Sequence, residues 1–186
     1  MHLRLLRRQK TQHGERQPQG ARQCIGTTSP LCVAQGAEMK NAHFLTHQEI
    51  FDRAVAHLHE QGRAALLPSG GGAYRGGYSG GSCNYGGCPV GSFIRARDYM
   101  SAMEGIPVRY LSRAENELPA WMDVGVAALK KALLRAHINI YDPNTVDLLS
   151  CLQNVHDVFS VWEWNDRLLS IAAQFGLSPQ RLQDAA

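Results

Sequence analysis

A cysteine followed by proline, Cys88-Pro89, and a histidine followed by aspartate, His156-Asp157, are the residues of this sequence best suited to covalent chemistry. Proline fits the first position of a helix, where its missing N–H costs nothing. That places Cys88 at the cap, facing unpaired N–H groups and the positive end of the helix dipole, and both favour thiolate. His156 is then the candidate base and Asp157 its candidate partner, as in a cysteine-dependent hydrolase or transferase. Successive residues on a helix point about 100° apart, so Asp157 does not orient His156 by sequence adjacency alone. The competing reading makes Cys88 a small buried apolar group and His156 a polar cap.

The stretch 70–94 offers a different chemistry. It holds ten of the chain's 18 glycines. Tyr74, Arg75, Tyr78 and Tyr85 punctuate it in the manner of an Arg-Gly-Gly segment, whose rings stack on RNA bases. A single arginine supplies little phosphate affinity, however. The run lacks the Lys-Ser/Thr ending of a phosphate loop and the glycine spacing of a dinucleotide fold. Cys83 and Cys88 permit two thiolate ligands, with His57, His137, His156 or Cys151 needed to complete a set. One Cys pair is no zinc signature, so neither a metal nor a cofactor is assigned.

The elements that must position these residues read as helices. Thr46 and Glu49 form a capping box ahead of the stripe Ile50, Phe51, Ala54, Val55 and Leu58, and Gly62 stops that helix. Residues 63–68 read as a short strand or extended link. Ala73 to Arg75 and Cys83 to Tyr85 read as the arms of a small hairpin at about 72–88. Pro89 opens a helix towards Met103, and residues 107–111 read as a strand. Ser112 with Glu115 suggests a second capping box. A helix from Pro119 to about His137 is expected to bury Trp121, Val124, Ala128, Leu129, Ala132 and Leu133. After the turn at 141–144 another helix carries Val146, Leu149, Leu152 and His156 along one side. Ser160 and Glu163 cap the last long helix, with Trp162, Leu168, Leu169, Ala172 and Phe175 facing inward and Gly176 ending it. Trp162 and Trp164 are two residues apart, so one ring faces outward; Trp164 is the expected binding residue. The fold class is mainly α (α+β), a compact helical domain with a small Gly-rich β-hairpin insertion.

Composition bounds the rest. A chain of 186 residues with 44% hydrophobic content suits one compact domain. Residues 1–38 carry six basic groups against Glu15 and Glu38, within a total of 19 basic and 16 acidic side chains. They have no helical or strand period and read as a disordered basic leader, with 39–186 as the single helical domain. A nucleic-acid arm or a transit-type peptide is the alternative for the leader. No apolar run approaches the roughly 20 residues that cross a bilayer. Five cysteines without framework spacing point to reduced thiols and a cytoplasmic setting.

Tyr74-Arg75, Cys88-Pro89-Val90-Gly91, Met103-Glu104-Gly105 and His156-Asp157, with Ile94, Tyr99, Val108 and Leu111 between them, resemble the pattern of an uncharacterised family of small bacterial and phage proteins. The resemblance extends from the opening helix at Gln48 to Phe175-Gly176-Leu177. It leaves out the first 38 residues. Gly72 stands where members of that family tend to carry cysteine, as does Ser92. The resemblance implies an architecture and no activity. The expected function is therefore that of a small intracellular accessory protein acting on a protein partner, with Tyr74, Arg75, Tyr78, Tyr85, Glu104 and Trp164 as binding residues. Thiol catalysis by Cys88, His156 and Asp157, and RNA binding through the loop, are the alternatives.

Overall fold

The computed structural model describes residues 43–76, 86–113 and 117–183. Five α-helices lie among them: α1 (His47–Gln61), α2 (Ala120–Arg135), α3 (Pro143–Val158), α4 (Trp164–Phe175) and α5 (Gln180–Gln183). None is long and apolar enough to cross a membrane.

α1 forms for local reasons. Glu49 N–H donates to Thr46 Oγ1 at 3.2 Å, and the Glu49 carboxylate takes the Thr46 N–H at 2.8 Å. Gly62 turns left-handed and returns its N–H to Leu58. The stripe from Ile50 to Leu58 is wholly buried. α3 is the hub. Asp142 caps it through Asn144 N–H, and Leu148, Leu149 and Leu152 are fully buried. It packs against α1, α4 and the turns at Pro89–Phe93 and Val108–Ser112. α4 follows the Ser160–Glu163 capping box and a short 3-10 turn, and Leu177 N–H folds back to Ala172 C=O past a left-handed Gly176.

Three expectations are corrected. The helix expected from Pro89 towards Met103 is a chain of short 3-10 turns, Pro89–Phe93, Ala96–Asp98 and Ser101–Met103. The strand expected at 107–111 is another, Val108–Ser112. Extended residues at Ile94, Tyr99 and Glu104 break the run. Polar ties fix those breaks: Glu104 bonds the backbone at Tyr74 and Arg75, and Gln153 takes the Val108 N–H. Such tertiary bonds outweigh a weak local helix preference.

The hairpin expected at 72–88 is not seen among the described residues, which contain no strand. Its second arm, Cys83 to Tyr85, and most of its turn lie outside them. One isolated antiparallel bridge joins Leu66 to Gly72. Ala73 donates to Ala65 C=O at 2.8 Å and accepts from Cys88 N–H at 2.6 Å. Residues 64–76 thus form a strap that folds back on itself, 65–67 against 71–73, and takes the Cys88 N–H on Ala73 C=O.

The third correction concerns the tryptophans. Trp121 and Val124 open α2 and are 73% and 60% exposed, whereas Ala128, Leu129, Ala132 and Leu133 are buried as expected. Trp162 is 81% exposed and Trp164 only 2%. α4 begins at Trp164 rather than before Trp162, and that shift in register exchanges the two rings. Leu169 is exposed for the same reason. Glu115, the second half of the expected Ser112 box, lies outside the described residues.

Candidate functional site

The strap is held by Glu104 and by two side chains of α3, Gln153 and His156. Glu104 takes the Tyr74 N–H at 2.9 Å on one oxygen, and the Arg75 N–H at 3.1 Å and Tyr99 O–H at 2.8 Å on the other. The Tyr74 hydroxyl donates to Ile106 C=O and accepts from Gln153 Nε2 at 3.3 Å. His156 Nε2 accepts from Ala65 N–H at 2.9 Å. Glycines allow the close approach. A Cβ on Gly91 would stand 1.9 Å from Tyr74 C=O, and one on Gly72 would stand 1.7 Å from the Asp157 carboxylate.

Cys88 does cap the Pro89–Phe93 turn, and Pro89 is at its first position. The thiol is fully buried and pushed up to about 12 by that burial. The N–H groups of Gly91 and Val90 pull the other way, as a helix start should, while Asp157 and Glu104 raise it further. A single 3-10 turn carries too small a dipole to offset loss of water.

His156 and Asp157 are joined, although they are neighbours in sequence. Because Nε2 accepts a backbone N–H, Nδ1 carries the proton and donates to Asp157 Oδ1 at 2.7 Å. The imidazole is 1% exposed and stacks on Trp164, whose indole N–H donates to Phe159 C=O. Its Nε2 is occupied by the strap and has no hydrogen bond to Cys88.

The expected binding residues separate. Tyr74 and Trp164 are buried and present no ring to a ligand. Glu104 is spent on the strap. Arg75 is exposed and lies over the Tyr99 ring at 5.2 Å. Tyr78 and Tyr85 lie outside the described residues. Among the described residues, no group of three or more His, Cys, Asp or Glu side chains is arranged to hold a metal.

An open cleft of about 220 Å³ lies at the C-terminal end of α3. Gly72 and Asp157 wall it, Asn154 and Val158 extend along α3, and Pro107 and Arg109 close the other side. Gly72 is buried, and neither its N–H nor its C=O is hydrogen-bonded among the described residues. Around this end of α3 stand exposed apolar side chains: Val158 at 66%, Trp162 at 81%, Val161 at 42% and Leu66 at 43%. Leu66 belongs there because Ala65 bonds His156 and Gly72 packs on Asp157.

No family model, curated protein or solved structure matches the chain. The residues that carry the sequence pattern nonetheless converge. Tyr74, Glu104, His156 and Asp157 all bind or abut the strap, and Cys88 adds its backbone N–H. Sequence reasoning missed the cleft, Gln153 and Arg109. Gln153 sits one residue from Leu152, and its two-sided use of the amide leaves no trace in a hydrophobic period. Trp162 was detectable as half of the Trp162/Trp164 pair but not as the exposed half.

Proposed function

We propose that the protein works by binding a protein partner, and that the docking face is the C-terminal end of α3. The observation that carries this reading is the run of exposed apolar side chains Val158, Val161 and Trp162 at and just beyond the end of α3, with Val158 itself lining the cleft. Exposed aromatic anchors beside a concave site are the usual material of interface hot spots. The test uses a photocrosslinking amino acid introduced at Trp162 and, separately, at Tyr141. Tyr141 is also exposed but precedes α3, about 24 Å away along a 16-residue helix. A discrete protein adduct is expected from position 162 and not from 141. Equal labelling at both positions, or none at 162 in a native extract, would sink the reading.

The second reading is a hydrolase or transferase using Cys88 with His156. Its support is the bond that orients the imidazole against Asp157. It requires the buried Cys88 thiol to ionise and Nε2 to release the Ala65 N–H. RNA binding through the Gly/Tyr/Arg loop rests on Tyr78 and Tyr85, with Arg75 as the exposed charge.

A further inference from the structure

Main chain that is buried without a partner is rare in proteins, and among the described residues Gly72 is such a case. In the bridge to Leu66 the flanking bonds run from Leu67 N–H to Gly71 C=O and from Ala73 N–H to Ala65 C=O. Gly72 and Leu66 are therefore the non-hydrogen-bonded pair, and the N–H and C=O of Gly72 point away from Leu66. Gly72 also lines the cleft, which places this unpaired residue of the strap beside it.

The charges around that edge are unequal in quality. Asp157 is clamped: Oδ1 receives the His156 proton, its carboxylate rests on Gly72, and Oδ2 has no hydrogen bond among the described residues. Its side chain is about one quarter exposed. Arg109 across the cleft is exposed, and its guanidinium lies over the Tyr110 ring at 5.3 Å. A fixed, partly buried charge outweighs a mobile solvated one. Glu104 behind the strap is a second carboxylate, and both it and Asp157 push the Cys88 thiol upward. Asp157 is the fixed carboxylate of the cleft lining, facing the exposed Arg109.

We infer that this cleft binds an extended peptide segment, with its main chain paired to Gly72 and a lysine or arginine side chain on Asp157. The inference rests on the partner-binding reading and names what the partner must present. About 220 Å³ is smaller than a typical drug-sized pocket and suits one residue of such a segment. Strand-edge pairing supplies the affinity and the side-chain pocket the selectivity.

The full chain would be titrated by amide NMR with three blocked tripeptides: acetyl-Ala-Lys-Ala-amide, acetyl-Ala-Glu-Ala-amide and acetyl-Ala-Ala-Ala-amide. The lysine probe should shift the Gly72, Asn154 and Asp157 amides saturably. It should bind about tenfold more tightly than the alanine probe. Asp157→Asn should remove that preference. The unaltered protein should lose it at high salt, a readout independent of how well the variant folds. Equal binding of all three probes, preference for the glutamate probe, or no shift at these amides would overturn the inference. So would free n-butylamine binding as tightly as the lysine probe, because the main chain would then contribute nothing. Tyr141→Ala, remote from the cleft, should leave the titration unchanged, and the titration is read at the Gly72, Asn154 and Asp157 amides with no partner present, so a failed crosslink at position 162 and a failed titration are separate results.

Discussion

Gly72→Ala tests the contact on which the cleft depends. The added Cβ would sit 1.7 Å from Asp157 Oδ1 and 2.4 Å from its Cγ. Gly72 is not in the left-handed region, so the backbone itself tolerates alanine. The carboxylate must therefore swing away, and the 2.7 Å bond to His156 Nδ1 goes with it. Overpacking costs about 1–3 kcal/mol. A buried imidazole N–H left unpaired costs about another 1–3 kcal/mol. Together these predict a loss of about 2–6 kcal/mol in urea unfolding, a large share of a small domain's stability. Asp157→Ala removes the obstacle in advance. In that background Gly72→Ala should be near neutral, or gain the few tenths of a kcal/mol that alanine offers through the unfolded chain. The double-mutant cycle should thus show a coupling of at least about 1 kcal/mol. Additivity within about 0.5 kcal/mol would refute the argument that Gly72 is glycine because Asp157 occupies its Cβ position.

Other outcomes follow from the same geometry. Gly91→Ala should destabilise by about 1–3 kcal/mol or more in urea unfolding, because the obstructing atom is the Tyr74 carbonyl and cannot rotate away, whereas Gly71→Ala, with open space around it, should be nearly silent. Glu104→Gln replaces a carboxylate that accepts three bonds with an amide that must aim donors at donors. It should cost about 2–4 kcal/mol and lower the Tyr99 phenol from about 12, which burial and then Glu104 maintain, as read by ultraviolet titration. Cys88 is raised from 9.0 to about 12 in the folded state, so its contribution is intact below pH 9 and is lost as the pH climbs towards 12. Relative to Cys88→Ala, the unaltered protein should lose about 1.4 kcal/mol per pH unit across that window, and parallel pH profiles for the two proteins would contradict the burial argument.

The parts of the fold legible in the sequence were those decided locally. The α1 capping box, the left-handed Gly62 and Gly176 and the Asp142 turn each depend on residues within about one helical turn of one another. The strap and the region 89–112 were not legible, because distant side chains decide their conformation. Nothing near Val108 announces that Gln153, 45 residues on, will take its N–H. Trp162 and Trp164 show the same limit at smaller scale: the apolar period admits either ring, and the placement of a 3-10 turn selects between them. Of the candidate chemistry, the cap position of Cys88 was readable and its environment was not, since burial is a property of the assembled core.

The histidine at the site links its structural role to the proposed binding role. The imidazole of His156 spends Nε2 on the strap and Nδ1 on Asp157, so the carboxylate at the cleft and the backbone at Ala65 share one rigid ring. The ring is itself walled by Trp164, the first residue of α4. A ligand that draws Asp157 outward must therefore pull against the hydrogen bond to a buried group and, through it, against the strap. Such a site is held in place before anything binds, and preorganisation of that kind reduces the ordering cost that usually limits short-peptide affinity. The two tryptophans divide accordingly: Trp164 is committed to the interior, where its ring stacks on the histidine, while Trp162 is 81% exposed, as the proposed docking face requires.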